Sequence, residues 1–70
     1  MKTEVKIKTP YIELDSFLKF ACLVGTGGEA KIVIQGGEVL LNGKVCTMRK
    51  KKLYAGDRVS FDGKDYLVVG

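Results

Sequence analysis

A chain of 70 residues has room for one domain at most, and so small a domain buries only about 60% of the surface that its unfolded chain exposes. That leaves little volume for an enclosed catalytic pocket and favours functions carried out on a surface. Hydrophobic residues at 46% and charged residues at 29% describe a folded chain, and the formal charge of +4 leans toward anionic partners.

The longest apolar runs are only a few residues, so no segment is expected to span a membrane. The opening MKTEVKIKTP alternates charged with apolar residues and lacks the continuous core of a secretory signal, which points to a cytoplasmic protein. Cys22 and Cys46 form no CxxC pair and histidine is absent. Neither a disulfide framework nor a metal site is expected, and the cysteines read as reduced and packed.

Residues Glu4 to Lys8 read as a strand with Val5 and Ile7 on one face, ended by Pro10, which has no amide donor for a ladder. YIELDSFLKFACLVG reads as a helix capped by Asp15 or Ser16. Leu14, Phe17, Leu18 and Ala21 make its buried stripe, and Lys19 faces water. Phe20, Cys22 and Leu23 widen the apolar face toward a second buried side, and Gly25 is the expected stop with positive φ. In TGGEAKIVIQGG, Thr26 and Glu29 have the spacing of a capping box. Ala30, Val33 and Ile34 then face the core with Ile32 flanking, Lys31 and Gln35 point outward, and Gly36-Gly37 ends the helix. The two helices make a hairpin.

Strands follow. Val39 to Leu41 and Lys44 to Met48 flank Asn42-Gly43, the preferred dipeptide of a two-residue type I′ turn. Arg58 to Phe61 and Lys64 to Val69 flank Asp62-Gly63 in the same way. The last strand alternates less clearly, as expected for partial burial on both sides. The predicted order is strand, helix, helix and four short antiparallel strands: an α+β fold with a helical hairpin on a small antiparallel sheet.

The succession ELDSFLK, TGGEAK, GGEVLLNGKV and LYAGDRVSF, over roughly residues 12 to 61, resembles the S-four RNA-binding domain, also called the alpha-L motif. Among its members the chain looks most like the stand-alone small bacterial type typified by YaaA and YbcJ. The resemblance implies two helices on a small antiparallel sheet, one domain over residues 1–70, and non-catalytic binding of structured RNA, commonly ribosomal or transfer RNA, with the ribosome as a further partner. It implies no cofactor. Carried over by position, the RNA-binding candidates are Lys19 and Lys31 on the helices, Lys44 at the turn, and Arg49, Lys50, Lys51 and Lys52 beyond it. The chain departs from the wider family at Glu13, where an Arg often precedes Leu-Asp, and at Thr26-Gly27, where Ser-Arg is common. The stand-alone type tends to share the TGG form.

Each candidate has a competing reading. Cations bind RNA by neutralising phosphates and releasing counterions, but a basic run is also an ordinary solvated loop, and adjacent lysines repel one another in the free protein. Gly27 and Gly28 either ease a tight helix entry or let a phosphate approach free amides at a helix N-terminus. Tyr11, Tyr54 and Tyr66 lie among apolar neighbours and read mostly as core. Tyr54, next to the basic run, is the candidate for stacking on a base. A basic face with no aromatic platform suits RNA recognised by shape and backbone. The rival from another class is a protein-docking module, favoured by the missing cations at Glu13 and Gly27. An enzyme is disfavoured because Asp15, Asp57, Asp62 and Asp65 fall at caps and turns. A sulfur carrier is disfavoured because the chain ends Val-Val-Gly rather than Gly-Gly.

Overall fold

The computed structural model describes residues 2–70. Its elements are β1 (Lys2–Lys6), β2 (Ile12–Glu13), α1 (Leu14–Phe20), α2 (Gly27–Gln35), β3 (Val39–Leu41), β4 (Lys44–Val45), β5 (Lys52–Leu53), β6 (Arg58–Phe61) and β7 (Lys64–Val69). Five strands form one sheet in the order β1-β7-β6-β3-β4, and β2 pairs with β5 in a separate two-stranded ribbon. The α+β architecture is the one expected. β1 runs parallel to β7, from Lys2 opposite Asp65 to Lys6 opposite Val69, and the other pairings are antiparallel.

Turn chemistry sets the sheet. Asn42 and Gly43 (φ 52° and 87°) and Asp62 and Gly63 (φ 55° and 75°) all sit in the left-handed region that a type I′ turn requires. The hairpin β6–β7 has the predicted limits. Its partner is shorter than predicted: β4 ends at Val45, although the Cys46 amide still donates to the Val39 carbonyl at 3.0 Å. β1 likewise ends at Lys6 rather than Lys8, while Ile7 stays buried and its amide donates to the Val69 carbonyl.

The core joins Leu14, Phe17 and Leu18 of α1 and Ala30 and Ile34 of α2 to Val39, Leu53, Val59, Tyr66 and Val68 from the strands. Helical spacing on the helices and alternation on the strands deliver these side chains to one interior. Full burial of an aliphatic or aromatic side chain contributes about 1.5–3 kcal/mol each, before chain entropy is counted.

Five local expectations are corrected. Neither Asp15 nor Ser16 caps α1: the cap position is Glu13, without a side-chain cap bond. The left-handed residue after α1 is Cys22 (φ 60°), not Gly25. The helix is only seven residues long, so its chain reversal comes earlier. The Leu23 amide donates to the Leu18 carbonyl and the Cys22 amide to the Lys19 carbonyl, the paired bonds of a Schellman motif. The second apolar side of α1 is absent, since Phe20 (58% exposed) and Cys22 face outward and only Leu23 packs against the core. Ile32, expected to flank the core, is 70% exposed because it falls opposite Ala30 and Ile34 on the short α2. The capping box forms in altered shape: Thr26 Oγ1 accepts from the Glu29 amide at 3.1 Å, while Glu29 reaches the Gly25 amide at 2.7 Å instead of that of Thr26.

Candidate nucleic-acid interface

The basic run is not a free loop. Met48 to Lys51 form a turn in which the Lys51 amide donates to the Met48 carbonyl, and Lys52 begins β5. The first amides of any α-helix lack partners within the helix. Here the Leu14 amide donates to the Lys51 carbonyl at 2.9 Å and the Asp15 amide to the Arg49 carbonyl at 3.0 Å. The backbone of the cationic turn therefore caps α1, and the cap holds the cations at a defined place.

Side chains strengthen the junction. The Lys50 ammonium stands 3.0 Å from a carboxylate oxygen of Asp15 and 3.6 Å from Glu13. Asp15 is 8% exposed, the one buried charged side chain among the described residues. Burial would raise its carboxyl pKa. The hydrogen bond and charge of Lys50, the amide of Ser16 and the charge of Arg49 outweigh that and hold it below its ordinary 3.8. Lys50 is correspondingly raised above 10.5, first by its hydrogen bond to Asp15 and then by the two carboxylates. Lys50 thus has a structural partner in the free protein, where the sequence suggested only mutual repulsion within the run.

The remaining candidates divide into groups. Lys51 and Lys44 line one shallow concavity of about 290 Å³ together with Leu41, Val45 and Met48, so the turn after β3 and the basic run do share a surface. Lys52 lies over the Tyr11 ring, 4.9 Å from its centroid. Arg49 is half-buried, and Lys44, Lys51 and Lys52 are exposed. Lys19 sits apart from these, at the N-terminus of α2: a Cβ added to Gly27 would lie 4.0 Å from its ammonium. Glu29 brings its carboxylate to the same helix end, which weakens the case for a phosphate at Gly27 and Gly28. Lys31 is exposed on α2. Among the described residues, Lys50 alone of these cations makes an ion pair.

Two features escaped the sequence reading. Tyr11 does not belong to the core; it is exposed beside Tyr54, with ring centroids 5.9 Å apart and planes tilted by 49°. Only Tyr66 is buried. The signal would have been the register of β2 on β5, which two-residue strands do not advertise. Asn42 and Asp57 also act together. Asn42 Oδ1 accepts from the Arg58 amide and its Nδ2 donates to Asp57, whose other oxygen accepts from the Tyr54 amide. The Asn-Gly and Gly-Asp signatures are thus two halves of one linkage.

A small α+β fold with a cationic turn fastened to a helix start is the class of molecule these features define. A family model for the S4 domain matches residues 5–69, and the chain belongs to that family. It is 40% identical over 63 residues to the probable ribosome maturation protein RlbA of Bacillus subtilis, covering 90% of this chain and 89% of that protein. It is also 40% identical over 62 residues to the putative RNA-binding protein YbcJ of Escherichia coli, covering 89% of each. The solution structure of YbcJ, described as revealing an alpha-L motif involved in RNA binding, superposes with a TM-score of 0.69 at 36% identity, over 99% of this chain and 86% of that one. The 30S ribosomal protein S4e of Thermoplasma acidophilum shares the fold, with a TM-score of 0.64 at 20% identity over 86% of this chain and 32% of its own.

Proposed function

We propose that the chain binds structured RNA, ribosomal or transfer RNA, through phosphate contacts made by Arg49, Lys51, Lys52 and Lys44, with Lys19 and Lys31 extending the surface along the helices. It acts as a single unit in the cytoplasm, without catalysis of its own, and serves the maturation of the ribosome or the surveillance of its RNA. The carrying observation is the cationic turn held to the start of α1 by two backbone bonds. A turn held in this way presents its charges with its backbone already ordered, so binding costs only the ordering of the side chains. RlbA is named for ribosome maturation and YbcJ for RNA binding, which supports the reading. Duplex RNA offers side chains phosphates and 2′-hydroxyls rather than a readable major groove, and a small cationic face suits that target.

The test is a salt-dependent titration with structured ribosomal RNA fragments. Arg49, Lys51 and Lys52 are replaced together by alanine, while Lys50 is kept because Asp15 depends on it. Affinity should fall and the log–log salt slope should flatten by about two to three. Unchanged affinity would refute the site.

A second reading, protein docking within a larger assembly, draws on exposed apolar side chains: Met48 and Val45 share the concavity with Lys44 and Lys51. Partners that stay bound after ribonuclease treatment would favour it.

A further inference from the structure

The register of the small ribbon places two aromatic rings side by side. Ile12 faces Leu53 across β2–β5, so the next facing positions outward are Tyr11 and Tyr54. Alternation turns Ile12 and Leu53 inward, where Leu53 is fully buried, and turns both tyrosines outward. They are 38% and 51% exposed, with rings 5.9 Å apart, and neither hydroxyl has a hydrogen-bond partner among the described residues. Lys52, two residues before Tyr54 and diagonal to Tyr11, rests its ammonium over the Tyr11 ring. Arg49 and Lys51 lie on the turn that leads into Lys52.

Aromatic surface in water beside a row of cations is what a nucleotide needs: a π-face for the base and a positive charge for its phosphate. We propose that Tyr11 and Tyr54 form a stacking platform for an unpaired nucleobase at the border of an RNA duplex. Tyr54 offers its ring to the base, Tyr11 supports Tyr54 from the side at a tilt of 49°, and Lys52 meets the phosphate of the same nucleotide. A paired base has both faces covered by its neighbours, so the platform selects strand ends, bulges and loops. It reads no particular base, because every base presents a π-face. The proposal rests on the RNA-binding reading above and adds to it a preference for duplexes that carry an unpaired nucleotide.

The experiment compares a blunt RNA duplex with the same duplex carrying a short single-stranded overhang that contains 2-aminopurine. Wild-type protein should bind the overhang RNA roughly tenfold more tightly, with 2-aminopurine fluorescence quenched on binding. The Tyr11→Leu/Tyr54→Leu variant, shown by circular dichroism to be folded, should bind both RNAs equally and keep the blunt-duplex affinity. Tyr54→Leu alone, a change at an exposed position, should lose most of the preference, and Tyr54→Trp should retain it. Equal wild-type affinity for the two RNAs, or a preference that survives in the leucine variants, overturns the platform and leaves the phosphate-binding reading standing. Failure of wild-type protein to bind either RNA removes both.

Discussion

Cys22 takes, after α1, the left-handed conformation that Gly37 takes after α2. Both helices end in the same pair of 6→1 and 5→2 bonds, the second donated by the Glu38 and Gly37 amides to Val33 and Ile34. Glycine adopts that conformation freely, whereas a side chain costs about 1 kcal/mol or more. Because Cys22 is exposed, nothing packed is lost on its removal. Cys22→Gly should therefore raise stability by about 0.5 kcal/mol, the strain relieved less the added freedom of the unfolded chain. A higher urea midpoint at unchanged slope would show it.

The second residue-scale prediction concerns Asp15 and Lys50. A carboxylate whose folded pKa is lowered contributes stability at pH above its ordinary 3.8 and loses it as pH falls through the lowered value. A lysine raised above 10.5 contributes fully below that pH and loses its contribution above it. The pair thus supports the fold between these limits. Lys50→Ala should lower the urea midpoint at neutral pH, and the gap to wild type should close only as pH falls below 3.8 and through the lowered value, where a protonated Asp15 needs no cation.

Elements this short depend on one another. A two-residue ribbon such as β2–β5 is not stable alone. It persists because Leu53 is buried, because the turn before it caps α1, and because Asp57 fastens the turn after it. Asp57 joins the Tyr54 amide at 2.8 Å to the Asn42 side chain at 3.3 Å, linking the β3–β4 turn to the start of β6. Asp57→Ala removes both bonds at a half-buried site and should cost about 1–2 kcal/mol. Asp57→Asn keeps one acceptor and should recover part of that, as chemical denaturation of the two variants would show.

At the scale of the whole molecule, the formal charge of +4 does not show how the cations are distributed. Arg49, Lys51, Lys52 and Lys44 flank a place where Glu13 and Asp15 neutralise Lys50. Glu13 is the less buried of the two and the farther from the ammonium, so its removal leaves the Asp15 pair intact. Glu13→Gln should strengthen binding to structured RNA by about two- to fivefold at low salt, with the gain fading above about 0.2 M as the charges are screened. Anisotropy titrations at several salt concentrations would measure it. A weakened complex would mean that Glu13 itself positions the turn.

Much of this was legible in the residues. Asn42-Gly43 and Asp62-Gly63 determined two hairpins because their positive φ values are local requirements, and the stripes of Leu14, Phe17, Leu18, Ala30 and Ile34 determined which helix faces pack. The motif order was enough to suggest the S4 family. What only the tertiary structure decided lies between residues far apart in the chain. The parallel pairing of β1 with β7, the capping of α1 by carbonyls of Arg49 and Lys51, the Lys50–Asp15 pair and the meeting of Tyr11 with Tyr54 are such contacts. Turns and amphipathic stripes arise from neighbours a few residues apart and leave a pattern in the sequence. Contacts across some 35 to 60 positions leave none, since any exposed lysine, aspartate or tyrosine looks the same until the chain has folded back on itself.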